Sequence, residues 1–287
     1  MFGFPMFLMD PAFEKRQRER IAAERKARLA KNATPWSLDM KWDPKLTLQA
    51  KTWPTWNLFN VKPTDHHDPN DEPEPESKFE VSPSGQFMYC VKRLKRGQML
   101  ETVSGSKTGD VMFDDDILIP ALHERANYGD DLWKQQPWMS ITPMELITQR
   151  PGLRFSKGHT VVAGLGLGWF LMQCRAKKTV KKVTLVERSQ ELVDWLLTDD
   201  RIFRAAGIPS TKLAPLEVIV GDAYEVVPKL KADVAIIDIF SGYGGNDFLE
   251  DLTYKHRGGT LLPEERRCEG IGKIWNWGKA YTKGDGW

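Results

Sequence analysis

The sequence predicts an α/β fold: a doubly wound, mainly parallel sheet, preceded by a small antiparallel β unit and an N-terminal helical arm. Three observations lead there. A short apolar run over residues 160–163 opens directly into a turn with glycine at 164, 166 and 168. Strand-like and helix-like stretches then alternate as far as Phe240, the pattern of parallel strands joined by helical crossovers. Three strand ends carry an acid, at Glu187, Asp222 and Asp238.

Taken in order, Asp10-Pro11 starts a helix with proline in its first turn. Residues 13–31 are dense in charge, with Glu14/Arg18 and Glu24/Arg28 at i,i+4 spacing. Few apolar residues give this helix a face to bury, so it reads as solvated. Its functional reading is an arm that docks nucleic acid or a partner subunit, giving a homo-oligomer in the second case. Residues 36–63 are broken by proline and dotted with Trp36, Trp42, Trp53 and Trp56, an extended segment pinned by aromatics. Residues 64–77 are acidic and proline-rich, and read as a linker. Asp65, His66, His67 and Asp68 lie there side by side without the helical or hairpin spacing of ligands, so no metal is expected.

Residues 79–81 and 87–91 flank Ser82-Pro83-Ser84-Gly85, and residues 99–103 and 111–113 flank a loop with Gly105 and Gly109. Both read as antiparallel pairs. Asp114, Asp115 and Asp116 are read as charging a helix start rather than holding a metal. Thr142 caps a helix with Pro143 at its first position, expected to end near Pro151 because the residue before a proline disfavours helical geometry. The divisions that result are an arm and linker over 1–77, a small β unit over 78–127 and the main α/β domain over 128–287.

In that domain a helix over 170–175 follows the glycine turn, and strands are expected at 182–187, 216–220 and 233–240. A helix over 190–198 would turn Leu192, Val193, Leu196 and Leu197 inward, and a short helix over 223–227 is stopped by Pro228. Residues 263–268 look helical. A fifth strand falls at 273–277, or alternatively at 260–262. Little chain follows Trp277, so the sheet is truncated or its edge is completed by the N-terminal extension.

At 287 residues the chain can bury one substantial core. A net charge of +2 gives no global field that marks a nucleic-acid binder, and the basic helix alone leaves nucleic acid open as a partner. Cys90, Cys174 and Cys268 are far apart, with no C-x-x-C pair, which points to a reducing compartment and no zinc site. No apolar run approaches the roughly 20 residues that span a bilayer. Residues 1–9 lack the basic start and cleavage site of a signal peptide. A cytoplasmic protein without a membrane partner is expected.

A dinucleotide fingerprint, G-x-G-x-x-G, would place its third glycine at position 169, which is Trp169. The G-x-G-x-G spacing of Gly164, Gly166 and Gly168 instead resembles motif I of class I S-adenosylmethionine (SAM)-dependent methyltransferases. Val183-Thr184-Leu185-Val186-Glu187 resembles motif II, Gly221-Asp222-Ala223 motif III and Val234-Ala235-Ile236-Ile237-Asp238 motif IV. Four motifs in order, over residues 158–240, are more specific than the glycines alone. The resemblance implies a Rossmann-like domain that binds SAM and transfers its methyl group to a small-molecule or unidentified macromolecular acceptor.

By the same resemblance the glycines cradle the methionine end of SAM and Glu187, 23 positions after Gly164, holds the ribose. Asp222 accepts from the adenine amine, Ala223 offers backbone to the ring, and Asp238 sits near the methionine ammonium and the nucleophile. Within the superfamily the chain is most similar to the spermidine-synthase-like branch, which carries a β unit before its SAM-type domain. Glu145 falls near a glutamate of that branch. Where that branch has a second aspartate after its fourth strand, this chain has Ser241, and a serine is no general base unaided. Methyl transfer is therefore placed first, with Asp238 and then Glu145 as candidate bases. Aminopropyl transfer is the alternative, and a non-catalytic SAM-fold assembly module is a third reading. No Asn/Asp-Pro-Pro-Tyr and no Pro-Cys follows the fourth strand; in the loop 241–247, Tyr243 and Asn246 are candidates to orient an acceptor or simply turn residues.

Overall fold

The structure is a computed structural model and describes residues 50–65, 79–98, 112–125, 137–240, 248, 254–255, 260–261 and 268–278. The charged arm, Trp36, Trp42, residues 66–77 of the linker, the strand expected at 99–103, Val111, Ser241, the 241–247 loop and residues 263–267 of the helix expected over 263–268 lie outside the described residues. The chain divides into two units, Met1–Trp53 with Lys95–Asp116, and Pro54–Leu94 with Ile117–Trp287.

In the first unit Trp53 meets Phe113 edge-on, with ring centroids 5.0 Å apart. The aspartate trio caps local turns. Asp114 Oδ1 accepts from Ala50 N–H at 2.7 Å, Asp115 Oδ1 from Asp116 N–H at 2.8 Å and Asp116 Oδ1 from Arg96 N–H at 2.8 Å. No group of side chains that could hold a metal is found among the described residues.

The second unit holds two principal sheets. In the antiparallel one, β3 (Phe87–Leu94) pairs with β2 (Phe79–Val81) and with β4 (Ile117–Glu124), while β5 (Met139–Ser140) adds to β4. β1 (Thr64–Asp65) runs parallel to β3, so the start of the expected linker is strand. The helix expected after the aspartates is likewise corrected. Residues 117–124 pair with all of β3, from Leu94↔Ile117 to Phe87↔Glu124, and a short apolar run without helical period takes whichever structure its neighbours offer. The Trp-rich segment is pinned as expected where it is described: Tyr89 Oη donates to Trp56 O at 2.6 Å and accepts from Leu58 N–H, and Phe59 packs on Trp195.

The other sheet is parallel throughout. Its strands are β6 (Gly158–Ala163), β7 (Val180–Glu187), β8 (Leu216–Val220), β9 (Ala232–Ile237) and β12 (Ile271–Asn276), in the order β12-β9-β6-β7-β8. With helices in its crossovers, this is the Rossmann-like α/β class that the sequence predicts. Both places considered for the last strand are strand. β12 completes the parallel sheet, whereas β11 (Thr260–Leu261) pairs only with β10 (Tyr254–Lys255). In β9, Val234 to Ile237 are fully buried, as expected for a central strand covered on both faces. On one face Val161, Ala163, Val186, Ala235 and Ile237 pack with Ala223, Val227 and Phe248.

Helix α1 (Pro143–Phe155) carries Thr142 as its N-cap but runs past Pro151, which corrects its expected end. The reason lies elsewhere in the chain. Lys177 Nζ donates to the carbonyls of Leu153, Arg154 and Ser156 at 2.6–3.0 Å, satisfying the helix's last acceptors with a cation where the dipole favours one. Helix α2 (Trp169–Ala176) follows the glycine turn and packs on β7. In α3 (Gln190–Leu197) Leu192, Val193 and Leu196 are buried as expected, but Trp195 replaces Leu197. At 3.6 residues per turn Leu197 lies about 140° from Leu192, off the inward stripe. α4 (Arg201–Ala206) and the single turn α5 (Ala223–Val226) complete the crossovers, the latter passing at Pro228 into a tighter turn, Val227–Lys229.

Candidate functional site

In an open parallel sheet, ligands bind beyond the carboxyl ends of the strands where the strand order reverses. Here that point lies between β6 and β9. β6 ends in the glycine turn, and β9 ends one residue before Asp238, whose N–H donates to Ala163 O at 3.0 Å. Gly164, Gly166 and Gly168 have φ of 97°, 51° and 76°, all in the left-handed region that favours glycine. At Gly164 a side chain would collide with the Asp238 carbonyl, so the glycine lets two strand ends close on each other. Gly168 is the N-cap of α2 and supplies no side chain to its free N–H groups.

The antiparallel sheet reaches this turn. Trp56 Nε1 donates to Leu167 O at 2.8 Å, and Leu167 N–H donates to Met139 Sδ at 3.0 Å. A side chain at Gly166 would strike the same Met139 thioether. Neither Trp56 nor Met139 carried a site signal in the sequence, since an indole and a thioether are ordinary core groups and only the tertiary pairing gives them a task.

The structure brings Glu145 and Asp238 together. Burial pushes the Glu145 carboxyl up to about 8, and the neighbouring Asp238 charge adds to the rise. Burial also lifts Asp238, to about 7, against the lowering effect of Gln149, whose Nε2 donates to Asp238 Oδ2 at 3.0 Å. Two like charges in one desolvated site oppose each other, so near neutrality the pair retains a proton. Glu145 and Gln149 are one helical turn apart on α1, which places both on its face toward β9. That i,i+4 spacing is the signal that would have picked out Gln149, which the sequence reading missed.

The other acids are engaged differently. Glu187 Oε2 accepts from Leu165 N–H at 2.8 Å and its Oε1 from Ser189 N–H at 2.9 Å, so the carboxylate at the end of β7 is oriented by the glycine turn itself. Asp222 caps α5, its Oδ1 accepting from Tyr224 N–H at 2.8 Å, and is exposed. Ala223 is buried under the sheet in the core around Phe248, so what it can present outward is backbone. Glu187 and Asp238 thus flank the turn directly, while Asp222 stands at the tip of the edge strand.

Asn276 and Trp277 close the far side. Asn276 Oδ1 accepts from Phe248 N–H and Trp277 Nε1 donates to Thr148 Oγ1, at 2.8 and 2.9 Å. These bonds tie the end of β12 to α1 and to residue 248.

No protein-family model matches the chain, and no curated protein matches it. Among solved structures it is similar to a spermidine synthase in complex with the transition-state analogue AdoDATO, at 14% identity and a TM-score of 0.28 over 58% of this chain and 56% of that one. The spermidine synthase from Thermotoga maritima gives 14% identity and a TM-score of 0.29, over 61% and 59%. The chain therefore matches less than two thirds of the length of either. No helix among the described residues is long and apolar enough to cross a membrane. The fold class stands on the chain's own strand order: a five-stranded parallel α/β sheet whose glycine turn and half-buried acid pair meet at the topological switch point.

Proposed function

We propose that the protein is a SAM-dependent transferase of the class I methyltransferase type, with the Glu145–Asp238 pair as its proton acceptor. The observation that carries this is the half-buried acid pair beside Gly164, at the crevice where such folds bind ligands. The residues fit a molecule of this kind. Glu187 holds two backbone N–H groups and still has lone pairs to accept from ribose hydroxyls. The start of α2, capped by no side chain, offers N–H groups to a carboxylate. Asp222 Oδ2 is an acceptor for an adenine amine at the neighbouring strand tip.

SAM, when bound, supplies an already activated methyl group. The chain's own task is then to position the acceptor, exclude water and take a proton. A carboxyl whose affinity for protons lies near neutrality suits that last role, because it is part-ionised at working pH and takes a proton readily. Ionised Asp238, steadied by Gln149, is the base. Glu145, whose carboxyl is pushed up to about 8, stays protonated. Aminopropyl transfer remains the second reading, since the same pair would serve an amine nucleophile. The arm over residues 13–31 is assigned to assembly with a second copy or another partner.

Calorimetric titration with SAM, its demethylated product, decarboxylated SAM and NAD tests the reading. Binding of SAM and its product is the expected result. Preference for decarboxylated SAM would transfer the assignment to aminopropyl chemistry, and binding of NAD alone would overturn both.

A further inference from the structure

Gln149 is 2% exposed and spends only half of its amide on the protein. Its Nε2 is committed to Asp238 Oδ2, whereas its carbonyl oxygen Oε1 is buried with no partner among the described residues. Buried polar atoms are paired in the great majority of cases, and an amide oxygen left unpaired is costly enough to call for an explanation. Turning the amide over does not cure the problem, because it would set an oxygen against the Asp238 carboxylate. The buried indole Nε1 of Trp275, on the adjoining β12, is also unpartnered and does not serve it. Gln149 is therefore locked in one orientation by an acid and left with an acceptor to spare, one hydrogen bond from the residue that closes on Gly164.

We propose that Gln149 is a positioning residue for an alkylammonium group of the bound molecule, its Oε1 accepting one N–H while Asp238 accepts another. This deepens the SAM-transferase reading and rests on it. The chemistry follows from what surrounds the oxygen. Glu145, Asp238 and Gln149 Oε1 present acceptors, and no lysine or arginine is hydrogen-bonded or ion-paired to either acid among the described residues. A cationic group rich in donors is complementary to such a cluster, and an anion is not. Two sources offer that group: the amino-acid end of SAM, or an amine acceptor.

The test compares wild type with Gln149→Met, which keeps volume and removes both polar atoms, by calorimetry and thermal unfolding. The probes are SAM, 5′-methylthioadenosine, which lacks the amino-acid end, and propylamine added to the free protein and to protein saturated with the demethylated product. If the cofactor supplies the ammonium, SAM affinity falls about 10- to 100-fold and 5′-methylthioadenosine affinity holds. If the acceptor supplies it, SAM affinity holds and propylamine binding is lost. Gln149→Met also takes the donor from Asp238, so the thermal midpoint should fall modestly, and the difference between SAM and 5′-methylthioadenosine is what reports the ammonium contact.

Unchanged affinity for every probe, or equal losses for SAM and 5′-methylthioadenosine, would overturn the proposal. Wild-type protein that binds neither adenosyl probe would sink the SAM reading. Propylamine binding to the free protein, present in wild type and absent in Gln149→Met, would then still uphold the ammonium site, and its absence from wild type would end that too.

Discussion

The indole N–H of Trp56 donates to the carbonyl of Leu167 at 2.8 Å, and the N–H of that same Leu167 donates to the Met139 thioether. Both backbone groups of one residue in the glycine turn are thus held by side chains of the segments that precede the parallel sheet. A turn rich in glycine gains its geometry at an entropic cost, and two hydrogen bonds from outside, one buried and one part-buried, restrict it to one shape.

Replacing Trp56 by Phe keeps most of the buried ring and removes the donor. The Leu167 carbonyl is then left unpaired in a buried place, and the fold should lose about 1–3 kcal/mol. Urea unfolding of the full chain measures this. A wild-type midpoint in Trp56→Phe would show that the indole N–H contributes nothing to the turn.

Gly166 has φ of 51°, and a methyl group there would strike Met139. Gly166→Ala should cost about 1–2 kcal/mol for left-handed backbone alone, and more for the collision. Adding Met139→Ala removes the collision and not the backbone strain, while opening space of its own. The double variant should therefore recover part of the loss relative to the sum of the two single changes. Strict additivity would mean the two residues do not meet.

Asp222 combines a cap with a proposed adenine contact, and the two separate by substitution. Asn caps a helix as well as Asp does, so Asp222→Asn should leave stability unchanged, whereas Asp222→Ala should cost about 0.5–2 kcal/mol. Asp222→Ala should also weaken SAM binding by about 1.5–3 kcal/mol, the range for a hydrogen bond to a charged group. Equal SAM affinity in Asp222→Ala and wild type would remove this residue from the site.

The acid pair makes stability depend on pH with a definite sign. Glu145 and Asp238 bind protons more tightly folded (about 8 and about 7) than at their ordinary values of 4.5 and 3.8. The folded state thus holds more protons than the unfolded one between those limits. Their contribution is fully present below the ordinary values and is lost as pH rises through the folded ones. The double variant Glu145→Gln/Asp238→Asn should flatten the fall in denaturant midpoint across this window. An identical slope in the variant and wild type would show that folding does not raise the proton affinity of this pair.

Much of the parallel sheet was legible because its signals are local. A central strand buried on both faces must be continuously apolar, as residues 234–237 are, and a glycine turn after such a strand announces itself. The cap Thr142 is equally local, its side chain accepting from an N–H three residues on. The site was half legible. Acids at strand tips could be read from position and Gln149 only through its i,i+4 relation to Glu145, but Met139 could not, because its role depends on a partner 28 residues away.

Where the sequence misled, a distant partner had overruled a local rule. Residues 117–124 follow three helix-capping acids yet form a strand, because β3 offers eight residues of matching ladder. Helix α1 passes Pro151 because Lys177 satisfies the carbonyls at its end. The amino-acid sequence by itself determined the alternation of strands and helices, the glycine turn and the order of the strand-end acids, all set by periodicity and short-range backbone chemistry. Only the tertiary structure decided which carboxyls feel each other's charge, what clamps the turn and which amide is left with an oxygen to spare. Burial and hydrogen bonding between residues far apart in the chain exist only once it is folded.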